Sequence, residues 1–266
     1  MISKEYWNRN LDTDNLSRPG GATHAFLEES FAFARTPEFE WLRGRLGNIQ
    51  GMRMVELGGG IGMHALIWAR EGARVVVVDL ALERMKALRT LATRAGLGDR
   101  IAFVVGQAEA IPLRDNTADL AFTKSVLIHT DIPRAARDIH RILKPGGRGA
   151  FIEPMRRNPI IRVYRRLCGP GIWRKITRYF DEQCFKELRE PFDLFFWKPF
   201  YLLSAGSFFW QYGYRSLRRF QRSLPFWQRM DAKLTKWWPF LERWHWCAAI
   251  EVRKADQPNQ TERQAS

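Results

Sequence analysis

Residues 55–66 read V-E-L-G-G-G-I-G-M-H-A-L, an apolar run that ends in a glycine-rich turn and passes directly into a helical pattern. Glycine removes the Cβ, so a ligand can lie against the backbone and the chain can take positive φ. The dinucleotide fingerprint G-x-G-x-x-G needs its third glycine at position 63, where this chain has Met63. The spacing present is Gly58, Gly60 and Gly62, with Glu56 two residues ahead of the first glycine. A carboxylate at that point suits a ligand carrying an ammonium group better than a pyrophosphate.

Outward from this turn the periods alternate. Runs 53–57, 74–79, 101–105, 118–123 and 148–154 are short and apolar, as buried parallel strands are. Helical patterns at 62–71, 81–95 and 133–143 separate them; Leu82, Met85, Leu88, Leu91 and Ala92 mark the apolar stripe of the second. This order predicts an α/β fold with a doubly wound, mostly parallel sheet. Asp79 closes the second strand seventeen residues beyond Gly62, where a carboxylate can accept from both hydroxyls of a ribose. G-Q-A-E-A-I-P-L at 106–113 follows the third strand and can edge an adenine ring. The three strand ends together form one crevice at the carboxyl side of the sheet.

The chain of 266 residues is 45% hydrophobic and 27% charged, a globular composition that excludes a disordered or fibrous chain. Its 43 Lys and Arg against 28 Asp and Glu leave +15, so nucleic acid, a membrane surface or an acidic substrate enters as a partner class. Cys168, Cys184 and Cys247 form no C-x-x-C pair, and neither a disulfide framework nor a metal site is expected. With no apolar stretch of signal-peptide length at the N-terminus, the sequence reads as cytoplasmic. The excess charge is local. Residues 154–255 carry 21 Lys and Arg against 8 Asp and Glu, and eight of the eleven tryptophans.

The first half resembles the class I S-adenosylmethionine-dependent methyltransferases, and within them the group similar to the ubiquinone and menaquinone methyltransferases. The matching stretches are E-L-G-G-G-I-G, V-V-V-D-L, G-Q-A-E-A-I-P-L-R-D-N-T-A-D-L-A-F and V-L-I-H-T-D-I-P-R-A-A-R-D-I-H-R-I-L-K-P-G-G, within about residues 50–154. The resemblance implies a seven-stranded Rossmann-like sheet, S-adenosylmethionine as methyl donor, and no metal. It implies that Glu56 with Gly58, Gly60 and Gly62 holds the methionine part, Asp79 the ribose, and Ala108 with Glu109 the adenine edge, with Leu80 and Gln107 also at the cofactor. Gln107 stands where the group often has Asp. Ordinary solvated carboxylates are the alternative for Glu56, Asp79 and Glu109.

His129, after the fourth strand, and His24, in the segment ahead of the first, are the candidates for a catalytic base, since an imidazole of ordinary pKa ~6.5 can take a proton from an acceptor atom. Either can equally brace a loop, and His64 and His140 fall inside helical patterns. Methyl transfer is an in-line attack that positioning and desolvation can largely drive, so a dedicated base is optional.

The expected organisation is an N-terminal helical cover at 1–48, a cofactor-binding core at 49–155, a C-terminal half of the sheet with a basic, Trp-rich cap at 156–255, and a disordered tail at 256–266. Residues 244–253 alternate as a half-buried strand, with 193–201 as a partner that Pro199 confines to an edge. Between them, Phe226, Met230, Leu234, Trp237, Trp238 and Leu241 recur at helical spacing, with Pro225 able to open the helix and Pro239 to disturb it. Residues 194–214 read as an interfacial or cap segment. Three readings of this half stay open: a cap over a small acceptor, a peripheral membrane surface serving a lipid-like acceptor, and RNA binding. A non-catalytic membrane-surface protein that keeps the cofactor pocket is the non-enzyme alternative.

Overall fold

The computed structural model describes residues 31–32, 34–60, 63–168, 171–214 and 216–256. His24, Gly62, most of the expected cover at 1–48 and all of the expected tail but Asp256 lie outside them. Strands β1 (Arg53–Leu57), β2 (Arg74–Asp79), β3 (Ile101–Val105), β4 (Ala118–Lys124), β5 (Leu143–Pro154), β6 (Leu194–Phe200) and β7 (Cys247–Arg253) form one seven-stranded sheet in the order β3-β2-β1-β4-β5-β7-β6. The pairs among β1 to β5 are parallel, and β7 runs antiparallel to both β5 and β6. The strand order proceeds outward in opposite directions from the β1–β4 pair, which leaves a crevice at the carboxyl ends of β1 and β4.

Helices cover both faces because the strands bury both. On one face α1 (Pro37–Leu46), α2 (Met63–Arg70) and α3 (Leu82–Arg94) pack Phe39, Leu42, Trp68, Leu88 and Leu91 against Val75, Val77 and Phe122. Trp68 is fully buried and its ring lies 4.8 Å from Phe39 and 5.3 Å from Phe122. On the other face α4 (Ile132–Ile142) brings Ile132, Ala136 and Ile139 onto Val55, Ala121 and Phe151. Asp131 caps α4 by accepting from the Arg134 N–H at 3.1 Å. The expected stripe of α3 holds except at its first member: Leu82 is 41% exposed.

The C-terminal half adds α5 (Pro159–Leu167), α6 (Trp173–Ile176), α7 (Glu182–Arg189), α8 (Phe208–Tyr212) and α9 (Leu217–Trp237). It departs from the sequence reading in four respects. β7 begins at Cys247, so Trp244 and Trp246 precede it, and Ala248, Ala249, Ile250 and Val252 are all fully buried. It is buried on both faces because it lies inside the sheet, with β6 taking the edge that Pro199 requires. Residues 194–214 are no interfacial segment throughout: Phe200, Tyr201, Leu202, Ala205 and Phe208 are buried in the body. Finally, α9 opens at Ser216, whose side chain accepts from the Arg219 N–H, and Pro225 lies inside it. Gln221, whose carbonyl loses its partner to Pro225, is exposed, so solvent can replace the bond.

Candidate functional site

At the tip of β1 the backbone turns through Gly58 (φ +63°) and Gly60 (φ +56°). A Cβ on Gly58 would come within 2.5 Å of Val126 Cγ2, and one on Gly59 within 2.6 Å of Val77 Cγ1, so both glycines are required by crowding. At Gly60 the nearest atom to a Cβ is 3.7 Å away, so backbone conformation rather than crowding demands glycine there. The Gly58 N–H donates to Val78 O at 2.8 Å, binding the turn to β2.

Two carboxylates flank this turn. Glu56, on β1, is buried, and its Oε2 has no hydrogen-bond partner among the described residues. Burial, with the negative charge of Asp79 second, raises its pKa well above the usual carboxylate range. Asp79, the last residue of β2, accepts from Gly60 N–H at 3.0 Å through Oδ2 and from Ala81 N–H at 2.8 Å through Oδ1. Each of its oxygens keeps a lone pair for a further donor. The arrangement offers a desolvated carboxyl group beside an acceptor with two lone pairs still to fill.

The next strand ends close the crevice. Gln107 and Ala110 form an isolated bridge, so residues 107–110 are a tight turn after β3, with Ala108 buried inside it. Glu109 Oε1 accepts from the Asp131 N–H at 3.1 Å, which joins this turn to the start of α4. The turn is held from behind by α4. Asp138 accepts from the Ile111 N–H, and Arg141 donates to Ile111 O at 2.8 Å and to Leu113 O at 2.7 Å. Glu56, Gly58, Gly60, Asp79, Leu80, Gln107, Ala108 and Glu109 thus all fall at the carboxyl ends of β1, β2 and β3.

His129 ends the 3-10 turn Leu127–His129 after β4, and Val126, at the head of that turn, is the residue that crowds Gly58. Its Nδ1 lies 3.2 Å from Ile176 O, which requires an Nδ1–H donor and leaves the lone pair on Nε2 in the neutral ring. Burial lowers its pKa, which favours the neutral ring. His64 is partly buried, its ring 5.0 Å from Phe39 and 5.3 Å from Phe122, and its pKa is well below the usual range through burial and then the charge of Lys124. That is the position of a core residue.

Sequence reading missed a second tier of polar groups beneath the crevice. Glu153, on β5, is fully buried and accepts from Thr123 Oγ1, Val126 N–H, Leu127 N–H and Ile128 N–H at 3.0 to 3.4 Å. It holds the turn that carries His129. Beside it, Lys124 Nζ reaches Glu38 Oε1 at 3.3 Å, and the hydroxyl of Tyr201 donates to Glu38 Oε2 at 2.5 Å. Tyr201 has a φ of +68°, a left-handed conformation rare for a bulky residue. The sequence signal was a lone carboxylate inside the apolar run 148–154; for Glu38 and Tyr201, far apart in the chain, there was none. Among the described residues no cluster of His, Cys, Asp and Glu could hold a metal ion.

Residues 55–151 match the family model described as a methyltransferase domain. The chain is 38% identical over 104 residues to the ubiquinone/menaquinone biosynthesis C-methyltransferase of Rubrivivax gelatinosus, covering 39% of each chain. It is 27% identical over 196 residues to the glycine/sarcosine/dimethylglycine N-methyltransferase of Actinopolyspora halophila, covering 66% of this chain and 34% of the relative. The chain thus spans less than half the length of these curated relatives. In fold it is similar to geranyl diphosphate C-methyltransferase from Streptomyces coelicolor, solved with Mg2+, geranyl diphosphate and S-adenosyl-L-homocysteine, with a TM-score of 0.60, 13% identity and 96% of both chains covered. It is also similar to phosphoethanolamine N-methyltransferase 2 of Haemonchus contortus, with a TM-score of 0.62, 18% identity, and 96% of this chain and 61% of that one covered. The fold is that of the class I S-adenosylmethionine-dependent methyltransferases, and within their methyltransferase domain the chain is similar to the ubiquinone and menaquinone group.

Proposed function

We propose that the protein transfers a methyl group from S-adenosylmethionine to a small or lipid-like acceptor. The observation that carries this reading is the desolvated oxygen of Glu56, without a partner among the described residues, beside a turn whose crowding and backbone conformation demand glycine. A buried carboxylate with its pKa raised by burial lacks a cation, and the ammonium of a methionine moiety is one. Asp79, with a lone pair left on each oxygen, would accept from the two ribose hydroxyls, while Leu80 and the turn at Gln107, Ala108 and Glu109 would flank the adenine. The residues therefore fit the cofactor, whose sulfonium supplies an electrophilic methyl group when bound.

The chain's own contribution is positioning. The glycine turn and Asp79 fix one end of the crevice; Glu153 fixes the turn after β4, across which the acceptor must lie. His129, neutral with its lone pair on Nε2, can take a proton from an oxygen or nitrogen acceptor as the new bond to carbon forms. The apolar side chain of Val126, packed against the glycine turn, would limit water at the reacting atom. In this reading residues 49–155 bind the cofactor and residues 156–255 complete the sheet and cap the acceptor.

Calorimetric titration with S-adenosylmethionine and S-adenosylhomocysteine tests the cofactor, and transfer of a labelled methyl group to quinone-like, isoprenoid and small amine acceptors tests the activity. Binding of the cofactor pair with no binding of NAD is expected. A folded chain that binds neither cofactor form overturns the reading.

A further inference from the structure

Helix α5 is held to the body by few of its residues. Asn158 caps it and sends its Nδ2 to Tyr201 O, Leu202 O and Trp244 O, each at 3.0 Å. Ile161 is buried, and Arg165 turns inward, donating to Met155 O at 3.1 Å with its guanidinium 3.4 Å from the centre of the Tyr179 ring. Ile160, Val163, Tyr164 and Leu167 are left 40%, 58%, 49% and 76% exposed. Their spacing of three and four puts them on one face of the helix. A water-facing helix normally shows the opposite arrangement, with its apolar stripe inward.

Next to the cap of α5 stands a second apolar ridge. Trp244, whose carbonyl Asn158 holds, is 37% exposed, and Trp237, Trp238 and Phe240 just before it are 69%, 48% and 56% exposed. Cations are interleaved with both ridges: Arg162 and Arg166 on α5, Lys233, Lys236 and Arg243 along the other. The single acid of α9, Asp231, is buried and accepts from the N–H groups of Leu202, Leu203 and Ser204 and from the Ser204 hydroxyl. It therefore offers no negative charge at the surface. Tryptophans and aliphatic side chains at the surface amid a surplus of cations, with Glu242 the one exposed acid of the Trp237–Trp244 segment, suit the boundary between anionic headgroups and acyl chains. Aromatics and cations alone would also suit RNA, but Ile160, Val163 and Leu167 have no stacking face to offer a base.

We infer that α5 and the Trp237–Trp244 segment form a face that docks on an anionic lipid bilayer. The inference rests on the reading above that the acceptor is lipid-like. α5 starts five residues after the carboxyl end of β5, the strand edge on which Glu56 and Asp79 also lie, so an acceptor leaving the bilayer there enters at the crevice edge. No helix among the described residues is long and apolar enough to cross a membrane, so the contact is with the surface.

The test is co-sedimentation of the full chain with phosphatidylcholine vesicles, with and without a third of phosphatidylglycerol. The chain should pellet with the anionic vesicles and much less with the neutral ones, and salt should weaken binding. Val163→Ser with Leu167→Ser, and separately Trp237→Ala with Trp238→Ala, should each lower vesicle affinity about tenfold or more. Circular dichroism and S-adenosylhomocysteine titration run on the same samples. Variants that keep their fold and bind vesicles as the parent does overturn the docking face. So does a parent that ignores anionic vesicles, including one that instead binds RNA homopolymer with a steep salt dependence. A parent chain that binds S-adenosylhomocysteine but not anionic vesicles sinks the docking proposal alone; a parent that binds vesicles but not the cofactor sinks the proposed function alone.

Discussion

The backbone N–H of Gly60 donates to Oδ2 of Asp79 at 3.0 Å, so the turn that ends β1 is tied to the last residue of β2. Asp79 therefore has two tasks, holding the turn and presenting acceptors to a ligand. Asp79→Ala should remove both. Each lost hydrogen bond to a charged acceptor is worth roughly 1.5–3 kcal/mol, so S-adenosylhomocysteine affinity should fall by at least about tenfold while the circular dichroism spectrum stays native. Calorimetry reads the first and spectroscopy the second. Unchanged affinity would remove Asp79 from the site.

The glycines of the turn separate crowding from conformation. Gly60→Val meets no clash at its Cβ but a φ of +56°, which a β-branched residue resists, and its side chain would occupy the ligand's path. It should fold and fail to bind. Gly58→Ala, by contrast, drives a methyl group to 2.5 Å from Val126 Cγ2 and should lower stability measurably, since the neighbour is a stiff side chain packed against the turn. Urea midpoints and cofactor titration on the two variants should give opposite patterns; a Gly60→Val protein with parental affinity sinks the cradle.

Glu56 makes cofactor binding pH-dependent. Its pKa is raised in the free protein by burial and then by Asp79, and a bound ammonium would lower it again. Binding at a pH below that raised pKa and above the lowered one should therefore release a proton, and affinity should rise with pH until the raised pKa is passed. Glu56→Gln should bind more weakly and lose this dependence. Titration in buffers of differing ionisation enthalpy counts the protons directly, and a pH-independent affinity with no proton release would exclude the ion pair.

How far the sequence could be read follows from how local each feature is. The turn at Gly58 to Gly60, Asp79 and the turn at 106–113 are contiguous segments at strand ends, and a parallel sheet gathers those ends automatically. Tyr201 and Glu38 meet only because β7 enters between β5 and β6 and brings the chain after β6 under α1. The same insertion buries both faces of β7, which alternation alone reads as half-buried. On α9, Pro225 resembles a helix start because proline fits the first turn; Ser216 supplies a better cap more than two turns earlier. The exposed stripe of α5 follows the ordinary period of a core helix, so its outward orientation was invisible without the fold.

Glu153 gives a last test, independent of any ligand. Burial pushes its pKa up to about 7 against an ordinary 4.5, even though four donors favour its ionised form. The folded chain thus keeps a proton that the unfolded chain releases above pH 4.5, so this group's contribution is greatest below that pH and declines as pH rises through about 7. The full loss is bounded by the size of the shift, at most about 3 kcal/mol. Glu153→Gln cannot titrate; its amide oxygen can keep the bonds from Thr123, Val126 and Leu127, while its NH2 would face the Ile128 N–H across a contact of 3.4 Å. Glu56 titrates in the same direction but is present in both proteins and cancels in their difference. Between pH 5 and pH 8 the stability difference measured by urea unfolding should therefore shift in favour of the variant. Parallel stability curves across that range would mean that Glu153 stays ionised in its buried site, with the N–H groups of the turn outweighing the cost of desolvation.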